Sequence, residues 1–125
     1  MAQIQKINHI YEPNPLACGQ AVLSMLTQMP VERIIEITKT DAELTLKQMK
    51  SVLDKFGFIY SKERKTAENK SDLPNIALLS LETPKCWHWS LYFYGTFYDP
   101  EHGILNNFPE CNRKYYWEIR KAENI

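Results

Sequence analysis

The chain has 125 residues, 44% of them apolar and 24% charged, with fifteen Lys and Arg balancing fifteen Asp and Glu. That length suffices for one domain with a core of its own, and the balanced charge leaves no broad basic field for a nucleic acid or an anionic membrane surface. Three cysteines, none spaced Cys-x-x-Cys, read as free thiols of a reducing compartment, not as a disulfide framework.

The opening residues lack the apolar core of a signal peptide, and no apolar run approaches membrane-spanning length, so the expectation is a cytoplasmic protein. Residues 4–11 carry Ile4, Ile7 and Ile10 without clean alternation, which suits either a short strand or an extended arm. Pro13 and Pro15 then hold the chain extended as far as Leu16. From Cys18 the apolar positions Ala21, Val22, Met25, Leu26 and Met29 fall on one stripe, with Gln20, Ser24, Thr27 and Gln28 mostly opposite. The spacing predicts a helix to about residue 29, with Cys18 on its buried stripe in the first turn.

Pro30 ends that helix and opens a second, whose apolar face is Val31, Ile34 and Ile35. Thr45-Leu46-Lys47-Gln48 has the form of a capping box, and Leu46, Met49, Val52, Leu53 and Phe56 follow at helical spacing up to Gly57, a C-terminal cap. Residues 61–72 mix Lys62, Arg64, Lys65 and Lys70 with Glu63 and Glu68, the pattern of a solvated loop. After Pro74, strand character predominates at residues 75–81, 87–94, 96–98 and 115–119. Helices first and strands afterwards predict an α+β fold with an antiparallel sheet. One domain spans 1–125, its helical half at about 16–57 and its sheet half at about 74–120.

Two stretches carry chemistry. Unpaired backbone N–H groups and the positive end of the helix dipole at Cys18 stabilise a thiolate, the nucleophilic form of a cysteine. In Trp87-His88-Trp89-Ser90-Leu91-Tyr92-Phe93 the period of two puts Trp87, Trp89, Leu91 and Phe93 on a core face and His88, Ser90 and Tyr92 on the other. If Tyr94-Gly95 is the turn, Ser90 pairs with Asp99 and His88 lies diagonal to it; if Gly95-Thr96 is the turn, Asp99 pairs with Tyr92. Either way His88 and Asp99 share a face. Cys18, His88 and Asp99 are then the nucleophile, the general base and the group that orients the base. The oxyanion donors are the N–H of Cys18 and a side chain from the preceding arm, Glu12 or Asn14. The spacing of Cys86, His88, His102 and Cys111 demands no metal site, and the reading carries no metal, no cofactor and no nucleotide-binding loop.

Three motifs resemble the papain-like cysteine peptidases: Ala17-Cys18-Gly19-Gln20-Ala21 opening a helix behind an extended arm, His88-Trp89 opening a strand, and Tyr98-Asp99-Pro100 followed by Gly103. Within that group the chain is most similar to the double-glycine leader peptidases that process bacteriocin precursors, and to their stand-alone relatives. The resemblance implies the papain-like fold, a nucleophilic Cys18, a basic His88, an orienting Asp99, and a peptide or protein as substrate. The family carries a glutamine six residues before the cysteine, where this chain has Glu12. An ionised carboxylate there repels an oxyanion, so either Glu12 stays protonated, or Asn14 or a backbone donor substitutes, or a second expectation holds beside the peptidase: a weakly active or inactive relative that binds a peptide or partner protein.

Overall fold

A computed structural model describes residues 6–122. Residues 4 and 5 of the expected strand or arm lie outside the described residues; residues 6–12 have no regular secondary structure, so the arm is the form seen there. Three helices follow, α1 (Cys18–Thr27), α2 (Val31–Thr38) and α3 (Leu46–Lys55). Helix α1 stops two residues short of expectation because Gln28 turns left-handed, at φ 63°, and its N–H caps the carbonyl of Ser24. Pro30 sits just ahead of α2 with a φ of −57°. The capping box of α3 forms in full: Gln48 N–H donates to Thr45 Oγ1 at 3.2 Å, and Gln48 Oε1 accepts from Thr45 N–H at 2.8 Å.

The strands are β1 (Phe58–Tyr60), β2 (Lys65–Thr66), β3 (Ile76–Glu82), β4 (Trp87–Phe93), β5 (Thr96–Asp99), β6 (Gly103–Leu105) and β7 (Lys114–Lys121). They form one antiparallel sheet in the order β1-β7-β3-β4-β5-β6, with β2 also paired to β7. The architecture is the predicted α+β, helices packed on an antiparallel sheet. Strands β1, β2 and β6 were not expected; at two or three residues each they are too short to show a period. The stretch at 61–72 is not all loop, since it contains β2, a buried Ala67 and a 3-10 turn at Lys70–Asp72. Among the described residues no helix is long and apolar enough to cross a membrane.

The main core lies between helices and sheet, where Val22, Leu26, Ile34, Met49 and Leu53 meet Leu78, Leu91, Phe93, Trp117 and Ile119. Each such side chain contributes about 1.5–3 kcal/mol by leaving water. A second cluster on the far face, Ala77, Leu79, Leu81, Tyr92 and Phe97, is covered by loop residues, among them Leu73, Phe108 and Cys111.

Two expectations about faces need correction. Helix α1 has no polar solvent face over its first nine residues: Gln20 and Ser24 are as buried as the apolar stripe. Gln20 Nε2 donates to the carbonyls of Thr40 (2.9 Å) and Ala42 (2.8 Å), and Ser24 Oγ to that of Met29 (2.6 Å), so the connecting segments cover that side. Trp87, placed on the core face, is 45% exposed. It lies at the first residue of β4 and stacks instead on Tyr115 of β7, with centroids 5.8 Å apart.

Candidate active site

Strand β4 pairs with β3 along its whole length, but with β5 only through Leu91–Tyr98, Tyr92–Phe97 and Phe93–Thr96. Tyr94 and Gly95, at φ 45° and 91°, form the two-residue turn between them, the left-handed pair that matches strand twist. That selects the first of the two registers. Ser90 falls opposite Asp99, and His88 lies diagonal to it on the same face. Because β5 ends at Asp99, the earlier residues of β4 have a free edge on that side. The start of α1 fills it, and Trp89 N–H donates to Cys18 Sγ at 3.4 Å. The thiol, from the helical layer, thus reaches round the open edge to a histidine on the opposite face.

Asp99 is fully buried and surrounded by donors. Its Oδ1 lies 3.0 Å from His88 Nε2, 2.9 Å from Glu101 N, 3.0 Å from His102 N and 3.0 Å from His102 Nδ1, while its Oδ2 accepts from Ser90 Oγ at 2.8 Å. Burial opposes the charge, but the hydrogen bonds, His88 foremost, outweigh it and hold the carboxyl well below the usual range. Burial likewise opposes a charged His88. Hydrogen bonds to Asp99 and Cys18 prevail and push the ring up to about 10. With Asp99 ionised, Nε2–H donates to it, which leaves Nδ1 for the thiol.

The arm brings one of the two oxyanion candidates to this pair. Glu12 N–H donates to Pro100 O at 2.9 Å, and His9 Nε2 lies 2.7 Å from Asp99 O. A carboxylate oxygen of Glu12, Cys18 Sγ and a ring nitrogen of His88 all lie within 4.8 Å of one another. Glu12 Oε1 is buried with no hydrogen-bond partner. Burial pushes its carboxyl up; His88 and His102 oppose that shift, and Glu101 and Asp99 add to it. Asn14 is used elsewhere: its Oδ1 accepts from Leu16 N–H at 2.8 Å and its Nδ2 donates to Asp41 O at 3.1 Å, shaping the turn that precedes α1.

Sequence reasoning missed His102, which caps Asp99 from three residues on, and the support that Ser90 gives; once the hairpin register is known, parity marks Ser90. It also missed the role of Gln20 in fixing the segment before Leu44. Trp89 Nε1 donates to Leu44 O at 3.0 Å, closing one wall of a cavity of about 310 Å³ beside Cys18, lined also by Pro15, Leu16 and Trp87. Among the described residues, neither Cys86 nor Cys111 belongs to a group of three or more His, Cys, Asp or Glu donors within 4.8 Å, so the Cys86, His88, His102 and Cys111 combination is not assembled.

No protein-family model matches the chain, and no curated protein matches it in sequence. Among solved structures it is similar to a double glycine motif protease from an AMS/PCAT transporter, solved in complex with the leader peptide. The TM-score is 0.67 at 14% identity, over 98% of this chain and 100% of that one. The chain therefore shares the fold of a papain-like peptidase domain.

Proposed function

We propose that the protein is a papain-like cysteine peptidase or amidase acting on a peptide or related acyl substrate through Cys18, His88 and Asp99. The observation that carries this reading is the grouping of thiol, imidazole and buried carboxylate, with Cys18 Sγ and a His88 ring nitrogen within 4.8 Å and His88 Nε2 3.0 Å from Asp99 Oδ1, at the start of a helix in a fold shared with a protease. Cys18 gives its proton to His88, its sulfur attacks the acyl carbon, a C–S bond forms, and the carbonyl π pair moves to oxygen. As that pair returns, the C–N bond breaks and the amine leaves with a proton from His88. Water, giving its proton back to His88, then cleaves the thioester and restores the thiol. Asp99 keeps the ring oriented and its charge compensated throughout.

The cavity beside Cys18 is the place for the substrate, and a peptide containing a double-glycine motif with residues beyond it is the first to try, given that the structural neighbour is a double glycine motif protease. Three free cysteines, Cys18, Cys86 and Cys111, accord with a reducing, cytoplasmic setting. A second reading, a peptide-binding relative without turnover, is favoured by one residue, Glu12 in the oxyanion position.

Alkylation tests the activated thiol that the hydrolase reading requires. Iodoacetamide should modify Cys18 at pH 6, mapped by mass against the exposed Cys86, at least about tenfold faster in the native protein than in His88→Ala. Equal rates in the two proteins would sink the hydrolase reading.

A further inference from the structure

Glu12 combines three features that a solvated arm residue does not have. Its backbone is tied to Pro100 O at 2.9 Å, its carboxylate lies within 4.8 Å of both the sulfur and the imidazole, and its Oε1 is buried without a partner. A buried acceptor left unsatisfied costs about 1–3 kcal/mol, and a neutral acid pointing at an incoming oxygen removes that cost by donating its proton. We propose that Glu12 acts as a neutral carboxylic acid whose O–H donates to the oxyanion formed at Cys18, confining acyl transfer to the pH range in which it keeps that proton. This rests on the hydrolase reading above and adds a catalytic residue and a pH gate to it.

The groups that face Glu12 decide how long the proton is held. Cys18 comes from α1, His88 from β4, Asp99 from the end of β5, and Glu101 and His102 from the turn after it. A thiolate and an imidazolium compensate one another at this range. Asp99, bonded to that imidazolium, and Glu101, paired with Lys85 Nζ at 3.4 Å, add negative charge beyond it, opposed by His102 when that ring is protonated. Burial, the largest influence, raises the carboxyl further, and a substrate that expels water from the cavity acts in the same sense. Below its titration Glu12 has the donor that a glutamine amide would supply. Above it, the same side chain places a negative charge against a developing negative oxygen. Preorganised donors of this kind are worth about 10²–10³ in rate.

The test compares two reactions of one sulfur. p-Nitrophenyl acetate acylates Cys18 through an oxyanion and requires no peptide specificity, whereas iodoacetamide alkylates it by displacement at a saturated carbon, where no oxyanion forms. The ratio of acylation to alkylation, read by mass at Cys18 from pH 4 to 9, isolates the oxyanion step. In the native protein the ratio should fall about tenfold per pH unit above the titration of Glu12. In Glu12→Gln it should be flat and at least about tenfold above native at pH 8. Glu12→Ala should also be flat, because the charge is gone, but well below Glu12→Gln, because the donor is gone. A flat native ratio, a Glu12→Gln profile that tracks native, or equal plateaus for Gln and Ala would each overturn the proposal. Alkylation that does not depend on His88 counts against the hydrolase reading instead, and is seen in that arm alone while the ratio still reports on Glu12.

Discussion

Replacing Asp99 by Asn tests the electrostatic core of the site with almost no change of shape. The amide oxygen can take the place of Oδ1, where His88 Nε2, the N–H groups of Glu101 and His102 and the ring of His102 converge. The amide NH2 then faces Ser90 Oγ, which can turn to accept. What is lost is the charge. His88 is held at about 10 against an ordinary 6.5, which at 1.36 kcal/mol per unit is roughly 5 kcal/mol, shared between its bonds to Asp99 and Cys18. A raised imidazole pKa contributes stability that is fully present below pH 6.5 and is lost as pH rises through about 10. Asp99, depressed, contributes stability present above pH 3.8 that is lost as pH falls through its lowered value. Urea denaturation of the native protein at pH 7, 8, 9 and 10 should therefore lose up to about 1.4 kcal/mol per unit relative to Asp99→Asn, about 2–4 kcal/mol in all. The His88 ring of the variant should titrate near neutrality by NMR. Stability curves that run parallel from pH 7 to 10, with an unmoved ring titration, would refute the reasoning.

Ser90→Ala leaves Oδ2 of a fully buried, charged Asp99 without its donor at 2.8 Å; a loss of about 1.5–3 kcal/mol is expected, and a change under about 0.5 kcal/mol in thermal or urea melts would remove Ser90 from the site's support. Gly103→Ala forces a side chain onto a φ of +92° and brings its Cβ to 3.0 Å from Tyr11 Oη. It should cost about 1–2 kcal/mol from the backbone alone. Adding Tyr11→Phe should recover part of the total; complete recovery would assign the whole effect to the clash.

What the sequence disclosed was local. The Thr45 and Gln48 capping box, Pro30 between two helices, and the parity that puts His88, Ser90 and Asp99 on one face are all properties of neighbours within a few residues. The choice between the two hairpin registers needed the left-handed pair Tyr94 and Gly95, and only Gly95 advertises that conformation. The burial of Gln20 stayed hidden because its partners, the carbonyls of Thr40 and Ala42, lie twenty and more residues on. For the same reason the residues alone left Asn14 and Glu12 both open as oxyanion candidates, and only the resemblance singled out Glu12. Both are short polar residues on one arm, and only the tertiary path shows one committed to the Leu16 turn and the other aimed at the thiol. Strands β1 and β2 exist because β7 offers them an edge to pair with, and their own composition does not require it.

The site depends on where β5 stops. A strand two residues longer would continue its ladder along β4 and occupy the N–H of Trp89, which is the group that receives Cys18 Sγ. Instead the chain runs into Pro100, which has no N–H to offer a ladder and turns away. That one interruption has three consequences. The free edge of β4 admits the start of α1, so a thiol from the helical layer meets an imidazole from the opposite face. The tight turn after Asp99 points the N–H groups of Glu101 and His102 back at its carboxylate, which keeps the charge that holds His88. And Pro100 O, left without a strand partner, accepts the N–H of Glu12, setting the arm and its acid beside the sulfur. Cys18, His88 and Glu12 are thus gathered by a single break in a sheet, and a change that extended β5 would disperse all three.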